Sequence, residues 1–214
     1  MTDLTDKLGS RFIVIDGPDG AGKTTQLKLL AEHLRTCGVE VCLVRDPGGT
    51  AIGDRIRRIL LDNAHGEMGV ECELMLYMAS RAQLAAEVIR PALARGECVL
   101  CDRYISATVA YQGAGGAEPD TVLQAGRIAV GPTWPDLTIL LDLDAEVGLA
   151  RVAGQRRHDR MESRGAEFHR RVRKMFLRQA QEQPERFAVV DAAGTVEEVQ
   201  QRLRKVVDRW QWQR

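Results

Sequence analysis

The chain has 214 residues, which at about 100–200 residues per domain allows one large domain or two small ones, with a core that needs no disulfide or structural metal. Apolar residues make up 44% and charged residues 28%, which excludes a disordered chain; thirty basic residues balance thirty acidic ones, and zero net charge gives no support for nucleic-acid binding. No apolar run reaches the length of a membrane-spanning helix, so no membrane partner is expected.

Residues 1–10 are polar, lack the apolar stretch of a signal peptide, and read as a flexible tail ahead of one domain over 11–214. Arg11 to Asp16 (RFIVID) is a short β-branched run that predicts a buried strand. A glycine-rich turn at 17–22 leads into a helix from Lys23 to Arg35, stopped by Gly38. A second strand is expected at Val39–Val44, then a loop at Arg45–Thr50 and a helix near Ile52–Leu61. A long helical pattern covers about Glu71–Ala94, with Pro91 as a break or kink. Further strands are expected at Glu97–Cys101, Leu137–Leu143 and Phe187–Val190, with a last helix from about Thr195 to Trp210. Gly113–Pro119 is the most flexible-looking loop. Strands alternating with helices make βαβ units, hence an α/β fold with a parallel sheet of about five strands and helices on both faces. Ligands in such sheets bind at the carboxyl ends of the strands. Five cysteines with no CxxC pair read as reduced thiols, and so as a cytoplasmic chain.

Gly17-Pro18-Asp19-Gly20-Ala21-Gly22-Lys23-Thr24 fits G-x-x-x-x-G-K-[ST], between a predicted strand and a predicted helix. Glycines let backbone N–H groups converge on phosphate oxygens, and the helix start adds its positive dipole end. Lys23 can reach the outer phosphates, and the Thr24 hydroxyl can sit on Mg²⁺. These residues and Thr25 form the expected nucleoside triphosphate site, within a three-layer P-loop fold. The motif shows a nucleoside triphosphate site without showing what receives the phosphate.

The basic residues are uneven: 25 are Arg and 5 are Lys. Arg suits bidentate phosphate recognition, and a codon bias explains the bulk of them equally well. Between Arg151 and Arg178 nine Arg and one Lys face only Asp159, Glu162 and Glu167, an excess that calls for a partner or a solvated helix face. Tyr77 and Arg81 stand four apart in a helical stretch and share one face; they can stack a base and read its edge, or be core and structure. Asp102 at a strand end could orient Mg²⁺ or hold Arg103 by an ion pair. Arg45 could be an ordinary loop charge. His33, His65 and His169 are scattered and form no metal site.

The P-loop is followed, in order, by Arg45-Asp46-Pro47-Gly48-Gly49-Thr50, Asp102-Arg103-Tyr104, Ala110-Tyr111-Gln112-Gly113, Pro135-Asp136-Leu137-Thr138 and Asp159-Arg160-x-Glu162. The ordered set resembles thymidylate kinases of the bacterial type from about residue 11 to the last helix. That resemblance implies transfer of the γ-phosphoryl of ATP to dTMP with Mg²⁺, in a homodimer with a mobile lid at about 151–165. It implies that Asp19 lies near the acceptor's phosphate and sugar, and that Arg45 and Arg103 grip that phosphate. Tyr77 would stack on thymine and Arg81 would donate to a thymine carbonyl. Thr108 would face the base edge, Tyr111 would close the space beside the 2′ carbon, and Gln112 would line the acceptor pocket. The loop Asp191–Gly194 would lie beside the adenine. Arg156, Arg157 and Arg160 are the lid's candidates for stabilising the transferring phosphoryl, and Thr24 with Asp102 the candidates for the metal. The chain departs from the family pattern at Tyr77 (usually Phe), Asp46 (usually Glu), Ala107 (often Ser) and Ala145 (often Pro), and the first three leave room for relaxation toward dUMP or another pyrimidine monophosphate. The rivals are a kinase of another nucleoside monophosphate and a P-loop regulator; no guanine-reading N-K-x-D signature supports the latter.

Overall fold

The structure is a computed structural model that describes residues 4–153 and 159–212. Five parallel strands form one sheet in the order β2-β3-β1-β4-β5. They are β1 (Phe12–Asp16), β2 (Val41–Arg45), β3 (Cys98–Asp102), β4 (Leu137–Asp142) and β5 (Phe187–Asp191). All five expected strands are present, each within about two residues of its expected bounds.

The central strand β1 is buried at every residue, and its side chains alternate between two cores as a period of two requires. Ile13 and Ile15 enter the core beneath α2 (Lys23–Thr36) and α10 (Val196–Arg209), with Leu30, Leu34 and Leu203. Phe12 and Val14 enter the opposite core beneath α4 (Val70–Leu84), α6 (Ile105–Ala114) and α7 (Pro119–Val130), with Leu74, Val109 and Val122. A third cluster joins α6 to α9 (Ala166–Glu182) through Tyr111, Phe168, Val172 and Phe176. The remaining helices are α1 (Leu4–Leu8), α3 (Ala51–Leu61), α5 (Arg90–Ala94) and α8 (Ala145–Ala153). The N-terminus of α10 is closed by a capping box between Thr195 and Glu198.

Two expectations are corrected. Residues 4–10 are not a tail: Leu8 on α1 is fully buried in the core with α2, and the Ser10 N–H donates to the Gly96 carbonyl at 3.1 Å. Leu4 and Leu8 give α1 an apolar face, but one turn among polar neighbours is too short to show periodicity. The helical pattern at 71–94 is three pieces, α4, a wide π turn at Ala85–Ile89 and α5. Pro91, at the start of α5, has no N–H to give the preceding turn. The loop expected at Gly113–Pro119 is present and slightly shorter: residues 115–118 link α6 to α7. Trp210 and Trp212 pack against the core beneath α10, and the Arg11 guanidinium lies 5.5 Å from the Trp212 ring centre.

Strand register levels the chemistry. Arg45 on β2 is opposite Asp102 on β3, which is opposite Ile15 on β1, so the carboxyl ends of three strands open at one height. No helix among the described residues is long and apolar enough to cross a membrane.

Candidate active site

A cleft of about 1140 Å³ lies at those strand ends. Gly17, Gly20 and Gly22 all have positive φ, at 139°, 76° and 85°, which wraps the loop around the start of α2. Gly20 is also a close approach: a Cβ there would stand 2.1 Å from the Gly148 carbonyl oxygen of α8, and a Cβ on Gly148 would stand 2.2 Å from that of Asp19. The P-loop is thus seated directly on α8, a contact between two glycines that no motif in the chain announces. No side chain caps the start of α2, so its first-turn N–H groups and dipole face the cleft.

Lys23 is buried and donates to the Pro18 carbonyl at 2.7 Å. Burial, reinforced by the Arg103 charge, pushes its ammonium pKa down to about 8, against the pull of Asp19 and Asp102. A triphosphate beside Lys23 would raise that value again. At pH 8 nucleotide binding should therefore take up about half a proton, and near pH 6.5 almost none, because the amine is already charged. Calorimetric titration at pH 8 in buffers of different ionisation enthalpy reads this directly; a binding heat independent of the buffer would contradict it.

Thr24 Oγ1 donates to Asp102 Oδ2 at 2.6 Å, so the two metal candidates meet. No group of three or more acidic, His or Cys side chains that could hold a metal occurs among the described residues. A hydroxyl with one carboxylate is nevertheless the donor set of a Mg²⁺ that takes its other ligands from phosphates and water.

Arg103 follows β3 with φ at +68°, a strained conformation for a residue with a side chain. Its guanidinium reaches Asp19 at 2.5 Å, the Gly17 carbonyl at 3.1 Å and the Tyr111 hydroxyl at 3.1 Å, and lies 3.5 Å from Asp16. Tyr111 donates to the other Asp19 oxygen at 2.8 Å, with the Arg103 guanidinium 4.8 Å from its ring centre. Burial pushes the Asp19 carboxyl up, but Arg103 and then Lys23 outweigh it and hold the group below the usual carboxylate range. Asp16 is fully buried, and burial prevails there: its carboxyl is pushed up despite Arg103, the Ser106 hydroxyl at 2.6 Å and the Gly17 N–H at 2.9 Å.

On the acceptor side Arg45, Tyr77, Arg81, Thr108, Tyr111 and Gln112 all line the same cleft. Arg45 is exposed and held by Asp54 at 3.2 Å. Arg81 is almost wholly buried and more committed than expected: it bonds Asp46 at 2.5 Å, the Tyr104 carbonyl at 3.1 Å and Thr108 Oγ1 at 2.9 Å, and it contacts the Met78 sulfur at 3.3 Å. One Nη1 proton of its five remains for a base. Asp46 pairs Arg81 through one oxygen and leaves Oδ1 buried without a partner; burial pushes this carboxyl up against the pull of Arg81. Tyr77 is half-buried, and burial together with the Glu73 charge raises its hydroxyl pKa.

Arg160, expected among the phosphoryl-stabilising arginines, has a different job here. It is buried, donates to the Leu60 carbonyl at 2.9 Å and forms an ion pair with Glu73, so it fastens the 159–163 turn to α3 and α4. Arg156 and Arg157 lie outside the described residues. The expected adenine loop does border the cleft, through Ala192 and Gly194, with Thr195 beyond it. Sequence reasoning missed Glu73, Gly148 and Arg57, which lines the cleft and donates to the Pro47 carbonyl at 2.8 Å. An Arg within α3 carries no signal of its own.

A P-loop helix and Lys23 at one end of a cleft, with arginines and an aromatic at the other, define a nucleotide-binding α/β protein with room for a second ligand. Comparison with known proteins narrows this. Residues 15–203 match the family model described as thymidylate kinase. A thymidylate kinase of Pseudomonas fluorescens (strain Pf0-1) is 47% identical over 193 residues, covering 90% of this chain and 92% of that protein. One from Pseudomonas syringae pv. tomato is 47% identical over 197 residues, covering 92% and 94%. The crystal structure of thymidylate kinase from Ehrlichia chaffeensis superposes with a TM-score of 0.77 at 30% identity, covering 94% of this chain and 99% of that one. The chain belongs to the thymidylate kinase family.

Proposed function

We propose that the protein transfers the γ-phosphoryl of ATP to the phosphate of dTMP, giving ADP and dTDP for dTTP biosynthesis. The observation that carries this reading is the single cleft, which joins the uncapped P-loop helix to Arg103, Arg45, Tyr77 and Arg81. Phosphoryl transfer asks the protein for alignment and charge neutralisation and for little covalent work. Lys23 and the N–H groups of α2 hold the donor phosphates. Arg103 and Arg45 grip the acceptor phosphate, and Asp19, bonded by both Arg103 and Tyr111, fixes the direction of that grip. Mg²⁺, when bound, neutralises phosphate charge, and Thr24 and Asp102 would hold it. Tyr77 stacks on the base, Arg81 and Thr108 address its edge, and Tyr111 walls off the 2′ position.

The stretch at about 151–165, whose described ends line the cleft through Arg151, Asp159 and Glu162, serves as the lid; its closure would keep water from accepting the phosphoryl group. The whole of 11–214 works as one kinase domain, as a homodimer in the cytoplasm, where its five free cysteines suit a reducing compartment. Incubation with Mg-ATP and dTMP, with the nucleotides then separated, tests the reaction. ADP and dTDP should appear in equal amounts; ADP without dTDP would overturn it.

A further inference from the structure

Glu73 belongs to no motif in the chain, yet its carboxylate sits beneath the acceptor side of the cleft, 3% exposed, with both oxygens engaged. Oε2 pairs with the Arg160 guanidinium, itself buried. Oε1 accepts from Gln112 Nε2 at 2.6 Å. Gln112, on α6, is 1% exposed and lines the cleft.

We propose that Glu73 is a positioning residue that sets the base preference of the acceptor pocket by fixing which arm of the Gln112 amide faces the cleft. This rests on the dTMP reading above. A carboxylate paired with a guanidinium offers only acceptors. The amide nitrogen must therefore point at Glu73, because the flipped amide would put two oxygens 2.6 Å apart. Its oxygen is left as the free arm, and no described residue donates to it. Tyr77, one turn beyond Glu73 on α4, lines the same cleft. The pocket thus presents a fixed acceptor beside the stacking aromatic. Thymine and uracil carry a donor, N3–H, on the edge such an acceptor would meet. Cytosine carries a lone pair at the same atom and leaves two acceptors opposed. A site built around one hydrogen bond rejects a base that cannot make it far better than a site built on shape alone.

Glu73→Gln tests the chain of cause. The new carboxamide keeps its oxygen on Arg160 and turns its NH₂ toward Gln112, which then flips and offers NH₂ to the cleft. The kcat/KM for dTMP should fall by about tenfold or more, mainly through KM, while that for dCMP rises, so their ratio drops by at least about a hundredfold. The KM for ATP should stay within about twofold, since none of these groups belongs to the P-loop. A folded Glu73→Gln protein with an unchanged dTMP-to-dCMP ratio overturns the proposal, because loss of structure alone would lower both substrates together. If the variant does not fold, the wild-type crystal structure with dTMP decides. The Gln112 arm that is not on Glu73 should lie within hydrogen-bonding distance of ring N3, and a separation beyond about 4 Å overturns the proposal. Wild-type protein that turns over no dTMP would instead defeat the reading on which this rests.

Discussion

Replacing Arg103 by Leu should lower kcat/KM for dTMP by at least about a hundredfold and cost about 2–3 kcal/mol of stability. The activity loss follows from removal of the guanidinium fork proposed above to grip the acceptor phosphate. The stability loss follows from what is left behind. Asp19 and Asp16 both face Arg103, Asp16 is fully buried, and neither has another described cation as near. The cost falls at or below the lower bound of the buried-pair range, about 3–5 kcal/mol, because Arg103 borders an open cleft. The pH dependence has a definite sign. Arg103 is the chief force lowering Asp19, so the variant's Asp19 carboxyl moves up. A folded-state pKa raised above the unfolded value favours the protonated form, so the variant's deficit should shrink as pH falls through that value. Arg103→Lys should recover part of the stability through its charge but little activity, because an ammonium has no fork. Chemical denaturation at two pH values, beside steady-state kinetics, reads all three effects. An Arg103→Leu protein of wild-type stability would show that the ion pairs to Asp16 and Asp19 contribute nothing net.

Lys23→Ala should behave in the opposite way with respect to stability. Turnover should fall by about a thousandfold, because Lys23 is the cation that the P-loop itself supplies to the outer phosphates. Stability should hold or rise. An amine pushed down to about 8 is a charge the fold hosts at a cost relative to water, and its removal relieves that cost. Asp19 keeps Arg103 and Tyr111 as partners, so no carboxylate is orphaned. Thermal melts and kcat on the same preparation separate the two effects. Near-normal turnover would refute the phosphate-loop assignment.

The parts of the fold written in local pattern were legible in the chain. RFIVID and the four later apolar runs are strands, and the central β1, β3 and β4 are buried almost throughout because the centre of a parallel sheet asks for apolar residues on both faces. The P-loop was legible because its glycines are spaced for one backbone shape. What stayed hidden depends on distant partners. Arg160 looked like a phosphate ligand because it sits in an arginine-rich stretch, and only the packing of α4 shows Glu73 waiting for it. Arg81 was expected to read a base; that four of its contacts lie on Asp46, Met78, Tyr104 and Thr108 required three separate elements to be placed. Gly148 reads as an ordinary residue of a helix until α8 is set against the P-loop. Buried charges carry no periodic signature, and a contact between elements far apart in the chain appears in neither element alone.

The most direct test of the account is kcat/KM with Mg-ATP for dTMP, dUMP, dCMP, dGMP and AMP, each offered alone, with ADP release monitored. The account predicts dTMP as the best acceptor, dUMP as the nearest follower, and little turnover of dCMP, dGMP or AMP. A purine monophosphate or dCMP exceeding dTMP would leave the phosphate-loop chemistry standing and contradict the assignment of Tyr77, Arg81, Thr108 and Gln112 as a thymine pocket.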